Sequence, residues 1–407
     1  MPTQDVLVSA ARKLRTIWLI VGVTLGLIAL IEFAYRLQAS GRRSIAARSV
    51  VRREPEPPSP FELTDWAADY QIGHKAEEAV SWEPYVYLRN PTFQAPFATV
   101  DSSGHRRTPQ AASHAGGRPV KLFFLGGSTI FGWFQRAEHT IPAEAARRLH
   151  AAYGDSVSVE VTNFGVPGQT FTQEIIRLLL ELRAGHRPDI VVFYDGINDV
   201  MATVQNGRAG LPQNESNREE DFRRGRIAAE DSKPGLVNDL RAVARVAITA
   251  LMRLEISKRV LTVRQVDSPR PIPIDTLALN SVQVYAANVQ LVETLAAGYD
   301  FQPIYVWQPA LLSTRKMLTP REQWLKRKSR IAELHVAIPP LLGPVISAMV
   351  GDRFIDATSL FDVDSLDVFV DEFGHTYERA NPRIVDTLMP TLRAAVSPLV
   401  RSRMRTP

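Results

Sequence analysis

The feature that most constrains this chain is a set of short, almost uninterrupted apolar runs separated by helical patterns. They are "VKLFFLG" (120–126), "VSVEVTN" (157–163), "DIVVFYD" (189–195) and "QPIYVWQ" (302–308), with a weaker "RFIDAT" at 353–358. Continuous hydrophobicity over so few residues suits strands of a parallel sheet covered on both faces. Between them, "IPAEAARRLHAAY" from Ile141 has Pro142 in its opening turn, and "TQEIIRLLLELRAG" from Thr172 ends at Gly185, a plausible helix stop. "SVQVYAANVQLVETLAAG" from Ser281 and "RIVDTLMPTLRAAV" near the end read as further helices. Alternating strand and helix predicts a doubly wound α/β layer structure.

Before this body, Thr16 to Tyr35 reads "TIWLIVGVTLGLIALIEFAY", with Glu32 its only charge. Twenty helical residues span roughly 30 Å, the thickness of a bilayer core, so one transmembrane helix is expected. A cleaved leader is the competing reading, because Arg12, Lys13 and Arg15 precede the run; its length and the lack of an A-x-A site favour an uncleaved anchor. "RREPEPPSPFE" then reads as an extended spacer. The expected organisation is a flank at 1–15, a span at 16–35, a basic, Pro-rich linker at 36–80 and a catalytic body at 81–407, with 201–280 an insertion or cap. That insertion includes a helical stretch, "LVNDLRAVARVAITALMRLEIS".

The net charge of +5 belongs to the N-terminal part. Residues 1–53 hold nine Lys or Arg against Asp5 and Glu32, which leaves the remainder at −2. Electrostatic binding of nucleic acid by the body is therefore not expected. Arginines following the span outnumber the basic residues before it, which by the positive-inside rule favours a cytoplasmic body. Long domains are translocated despite such bias, so the charges leave orientation open; a single-pass membrane protein with an extracytoplasmic body is the expectation. With no cysteine, disulfides, thiolate metal sites and a Cys nucleophile are excluded.

Ligands of open α/β sheets collect at the carboxyl ends of the strands, so what each run delivers there is the place to look for chemistry. The first delivers Gly126, Gly127 and Ser128; the second "NFGVPGQT", with Asn163, Gly165 and Gly168; the third "DGIND", with Asp195, Gly196, Asn198 and Asp199. Each fragment alone is ordinary turn chemistry. Together they supply a hydroxyl, a glycine-exposed N–H and a side-chain amide, the nucleophile and oxyanion donors that acyl transfer needs. A serine also needs a base, most often a His oriented by a carboxylate. Of the eight histidines, His74, His105 and His114 precede the sheet, and His139, His150 and His335 lie in or beside helices, where a partly exposed surface role is expected. His186 falls at the opposite sheet edge from Ser128. His375, in "FVDEFGHTYERAN", has Asp371 and Glu372 four and three residues before it and stands ahead of the last helix.

This pattern resembles the GDSL or SGNH hydrolase family, whose blocks contribute Ser, Gly, Asn and His in that order. "FLGGSTIFG" is similar to block I, with Gly127 where the family commonly has Asp; "NFGVPGQT" resembles block II, "DGIND" block III and "DEFGHTYERAN" block V. The resemblance implies a three-layer α/β/α sandwich around a parallel sheet. It also implies Ser128 as nucleophile, His375 as base, and Ser128, Gly168 and Asn198 as oxyanion donors. The family's acid lies three residues before the His; here that is Glu372, but Asp371, four before, is the expected acid, with one extra residue in the loop, and Glu372 is the alternative. The chain lacks G-x-S-x-G, Walker A, G-x-G-x-x-G and H-E-x-x-H motifs, and no cofactor or metal is implied. The expected function is a membrane-anchored serine esterase acting on an acylated small molecule, lipid or glycan. An O-acyltransferase on an envelope polysaccharide and a silent glycan-binding module on the same fold are the alternatives.

Overall fold

The structure is a computed structural model that describes residues 12–24, 26–27, 29–33, 57–71, 79–110, 118–154, 156–231, 272–329 and 331–404. The chain divides into two compact units, Glu56–Arg218 with Ile272–Pro407, and Met1–Pro55 with Glu219–Pro271.

In the larger unit, two short antiparallel pairs come first: β1 (Ser81–Glu83) with β2 (Tyr87–Arg89), and β3 (Phe93–Gln94) with β4 (Thr99–Val100). Then follow β5 (Val120–Gly126), β6 (Val159–Asn163), β7 (Ile190–Asp195), β8 (Gln302–Trp307) and β9 (Phe354–Asp356), which form one parallel sheet in the order β6-β5-β7-β8-β9. All five expected strands are present. Their side chains alternate between two cores, as a pleat with period two requires. Val120, Leu122 and Phe124 of β5 face one core with Leu149, Leu388 and Leu392, supplied by the helices Ile141–Tyr153 and Asn381–Met404. Phe123 and Leu125 face the other, with Leu178, Val289 and Ile346 from the helices Phe171–Arg183, Ile274–Tyr299 and Ala332–Val350. The fold is therefore a three-layer α/β/α sandwich, as the alternation predicts. Full burial of such side chains is worth about 1.5–3 kcal/mol each, which makes the two cores the main source of its stability.

Three features depart from the sequence reading. Residues 57–71 belong to the body, which starts ahead of position 81: Phe61, Trp66 and Tyr70 pack with Val370 and Tyr377, and Ser59 Oγ lies 3.0 Å from Tyr377 Oη. Prolines signalled a spacer, but the aromatic residues behind them have a core to enter. The helix around His335 runs the length of Ala332–Val350, through Pro339, Pro340 and Pro344, which in the sequence read as breaks. Each proline removes a helical N–H, and the burial of Leu334, Ile338, Leu342 and Ile346 along one stripe offsets the loss. This packing also makes His335 a core residue, 2% exposed, rather than a surface one, and burial pushes its pKa down to about 3.

In the smaller unit, Arg12–Phe33 is a helix of 22 residues with mean hydropathy 2.2, and its described apolar side chains, such as Trp18 and Leu30, are exposed. By length and composition it can cross a bilayer, and a secretory leader has the same signature. The helix Glu215–Asp231 reaches into this unit and is polar, with Glu219–Arg223 and Glu220–Arg224 pairs four residues apart. The helix expected at 236–257 lies outside the described residues, as do His74 and His114.

Candidate active site

Strand β5 ends at Gly126, and after Gly127 the chain turns into the short helix Ser128–Phe131. Ser128 is therefore delivered at the carboxyl edge of the sheet, in its first helical position. What holds this helix is Arg106, a residue the sequence reading did not single out. Its guanidinium is 1% exposed and donates to the carbonyls of Phe131 (3.1 Å), Gly132 (2.7 Å), Gln135 (2.7 Å) and Phe97 (3.2 Å). Those carbonyls include Phe131, the last residue of the helix, so the cation satisfies an acceptor that a four-residue helix leaves open. Asn163, at the end of β6, donates a hydrogen bond from Nδ2 to the Ile130 carbonyl at 2.8 Å.

The loop before the last helix brings His375 over this edge. His375 Nε2 lies 2.6 Å from Ser128 Oγ, and Nδ1 lies 2.6 Å from Asp371 Oδ2. The other Asp371 oxygen, Oδ1, accepts from the N–H groups of Phe373 (2.9 Å) and His375 (3.3 Å). Asp371 thus closes the turn with one oxygen and holds the imidazole with the other. The half-buried Glu372 makes no hydrogen bond to the imidazole. The Trp133 and Phe134 rings pack on the imidazole at centroid distances of 5.1 and 5.7 Å, and the site is shielded: Ser128 is 7% and His375 3% exposed.

Two further ties align the histidine loop with the serine loop. Gln135 Nε2 donates to the Thr376 carbonyl at 3.0 Å, while Asn381 Nδ2 donates to Gln135 Oε1 at 2.8 Å. Deeper, Lys316 and Glu322 form an ion pair with no exposed side-chain surface. Lys316 Nζ also donates to the Leu366 carbonyl at 3.0 Å, and Glu322 Oε1 accepts from the Val368 N–H at 2.9 Å. The stretch leading into Asp371 is thereby pinned from beneath.

The remaining expected residues converge on the same edge. Gly168 has φ +79°, a left-handed conformation that suits glycine and turns the backbone after β6 toward the site. Asn198 begins the helix Ile197–Asn206 after β7; its Nδ2 donates to the Gln169 carbonyl at 2.9 Å, and its Oδ1 accepts from Gln213 Nε2 at 3.0 Å. An amide nitrogen carries two hydrogens, so one is held by Gln169 and the other remains for a ligand. A Cβ on Gly127 would overlap Asn198 Nδ2 outright. A side chain at 127 therefore requires the Asn198 amide to move.

Behind Asn198 lie three carboxyl groups. Glu174 and Asp195 are 1% and 3% exposed, and Tyr285 Oη donates to Asp195 Oδ2 at 3.4 Å. Burial first, and then the neighbouring carboxylates, push Glu174 and Asp195 well above the ordinary range; burial lifts Asp199 to about 7, against backbone donors that lower it. A raised carboxyl keeps in the folded state a proton that the unfolded chain releases, so its contribution falls as pH rises from near 4 through the folded pKa. Glu174→Gln removes one such group. Urea unfolding between pH 5 and 9 is expected to show the variant gaining on wild type as pH rises. Parallel profiles would show that the cluster carries no strained proton.

No family model matches the chain, and no curated protein matches it. Among solved structures it is similar to a carbohydrate acetylesterase family member from Sinorhizobium meliloti, at 14% identity over 68% of this chain and 99% of that one, with a TM-score of 0.35. It is similar also to an acetyl xylan esterase (11% identity, 67% and 100% covered, TM-score 0.38) and to a lipolytic protein of the G-D-S-L family from Veillonella parvula (12%, 66% and 96%, TM-score 0.38). At such identities and TM-scores these likenesses carry no argument about substrate or residue roles; the chemistry rests on the geometry of the site.

Proposed function

We propose that the protein is a serine hydrolase that cleaves acyl esters through an acyl-Ser128 intermediate, carried on a membrane anchor formed by Arg12–Phe33. The observation that carries this reading is the continuous chain Ser128 Oγ, His375 Nε2, His375 Nδ1, Asp371 Oδ2, with both links at 2.6 Å. With Nδ1–H donated to Asp371, Nε2 has a lone pair to take the Ser128 proton as Oγ attacks the ester carbonyl. Charge then develops on the carbonyl oxygen, where the N–H groups of Ser128 and Gly168 and the second Asn198 amide hydrogen serve as donors. The imidazolium returns its proton to the leaving alkoxide, and water repeats the sequence to release the acid. Asp371 serves as the orienting acid in this scheme. Support for the anchor comes from the exposed apolar surface of Arg12–Phe33, which requires an apolar phase to cover it.

A fluorophosphonate probe reports an activated serine directly. It is expected to attach to Ser128, located by peptide mass spectrometry, and to leave the Ser128→Ala chain unlabelled; labelling elsewhere, or none, removes the assignment.

Gly127 offers a sharper test of the oxyanion donors. At φ −80° the backbone accepts alanine without strain, so Gly127→Ala acts by displacing the Asn198 amide. Losing one such donor typically slows turnover by about 10²–10³-fold. The variant is expected to lose roughly a hundredfold in kcat with its unfolding midpoint nearly unchanged, and a wild-type kcat would place Asn198 outside the mechanism.

A further inference from the structure

We propose that the exposed aromatic residues of the β1–β2 hairpin form a stacking subsite for the sugar ring that bears the scissile ester. This rests on the hydrolase reading above and names its substrate class as an acylated glycan. Trp82 is 65% and Tyr85 69% exposed, an unusual display of aromatic surface on so small an element. Trp82 stands directly across from Leu88 in the antiparallel register, so the two side chains share one face of the hairpin. Leu88 Cδ1 in turn lies 3.4 Å from where a Cβ on Gly168 would be. The hairpin that carries Trp82 therefore borders the turn that holds Gly168.

The hairpin is built to hold this display. Tyr85 and Tyr87 have φ of 71° and 66°, values that residues with a β-carbon avoid. Such backbone persists where surroundings hold it, and here Gln173 Nε2 donates to the Val86 carbonyl at 2.6 Å and Gln169 Nε2 to the Leu88 carbonyl at 3.3 Å. Gln169 is also the residue whose carbonyl holds the Asn198 amide, so platform and oxyanion donors share one support. Tyr87 stacks on Trp82 with centroids 5.0 Å apart and planes at 21°, and the Arg218 guanidinium sits 4.6 Å over the Tyr87 ring. The indole is thereby oriented before any ligand arrives, which lowers the entropy cost of binding.

The surroundings select a sugar over an acyl chain. A lipid tail wants an unbroken apolar wall, whereas on this hairpin the aromatic rings are interspersed with the part-exposed Glu83–Arg89 pair, at 3.6 Å, and the Arg218 guanidinium covers the Tyr87 ring. A pyranose has the matching character: a face of C–H bonds polarised toward a π-cloud, and a rim of hydroxyls for charged and amide groups.

The test compares the full-length wild type with Trp82→Ala and Trp82→Phe in detergent. The substrates are p-nitrophenyl acetate, p-nitrophenyl palmitate, and chemically O-acetylated oligosaccharides of glucose, xylose, N-acetylglucosamine and mannuronate. At least one oligosaccharide is expected to exceed p-nitrophenyl acetate in kcat/KM. Trp82→Ala is expected to lower the ratio of those two values about tenfold, mainly through KM, and Trp82→Phe to restore most of it. An unchanged ratio overturns the proposal, as does the absence of any favoured oligosaccharide. A loss confined to the palmitate ester overturns it too, and assigns the face to a lipid chain. Failure of the hydrolase reading is read separately, as p-nitrophenyl acetate hydrolysis that survives in Ser128→Ala.

Discussion

Ser128→Ala is expected to reduce hydrolysis of p-nitrophenyl acetate by roughly 10⁴-fold or more, because removing a serine nucleophile leaves only what the oxyanion donors and binding contribute. The fold is expected to survive the change. The Ser128 hydroxyl is hydrogen-bonded to His375, while the helix that carries it is held by backbone bonds and by Arg106. Leaving His375 Nε2 without that partner costs about 1–3 kcal/mol, within the reach of a domain with two cores. The measurement is steady-state hydrolysis beside a thermal unfolding curve. A residual rate within tenfold of wild type, from a folded variant, would mean that another group attacks the ester.

Lys316→Met is expected to be the most damaging single change to stability outside the two cores. Breaking one partner of a buried pair leaves the other charge unpaired, and such losses are about 3–5 kcal/mol. Glu322 has no exposed side-chain surface and would keep only the Thr319 and Val368 N–H donors, at 3.2 and 2.9 Å. For a body of this size the loss corresponds to a fall of about 5–8 °C in the unfolding midpoint. Activity is expected to decline at temperatures below that midpoint as well, since the Leu366 carbonyl, on the stretch that leads into Asp371 and His375, loses its donor. Adding Glu322→Gln removes the stranded charge and should recover part of the stability. A single variant within 1 kcal/mol of wild type would show that the pair is replaceable.

How legible the site was depends on whether local pattern or long-range contact decides each part. Strand ends announce themselves, because an apolar run that stops at glycine, asparagine or serine marks both the period and its break. Ser128, Gly168 and Asn198 could therefore be placed at one sheet edge before any coordinates. Arg106 could not: it sits in a polar stretch, and its four carbonyl partners lie at Phe97 and between Phe131 and Gln135. Lys316 and Glu322 carry no sequence signal either, since most charged residues are solvated and only the packing around these two excludes water. Residues 57–71 were misplaced for the opposite reason, as their prolines gave a local signal that tertiary contact overrode.

The sequence by itself determined the parallel sheet, the order of the strands' contributions, and the serine, amide and imidazole that meet at their ends, because period and turn composition are local properties. Only the tertiary structure decided which carboxylate holds His375. Asp371 and Glu372 differ by one position, and the turn that sends Asp371 Oδ1 to two backbone N–H groups directs Oδ2 onto the ring. It likewise set the Asn198 amide against Gly127, because that amide comes from a different strand end, 71 residues further along the chain.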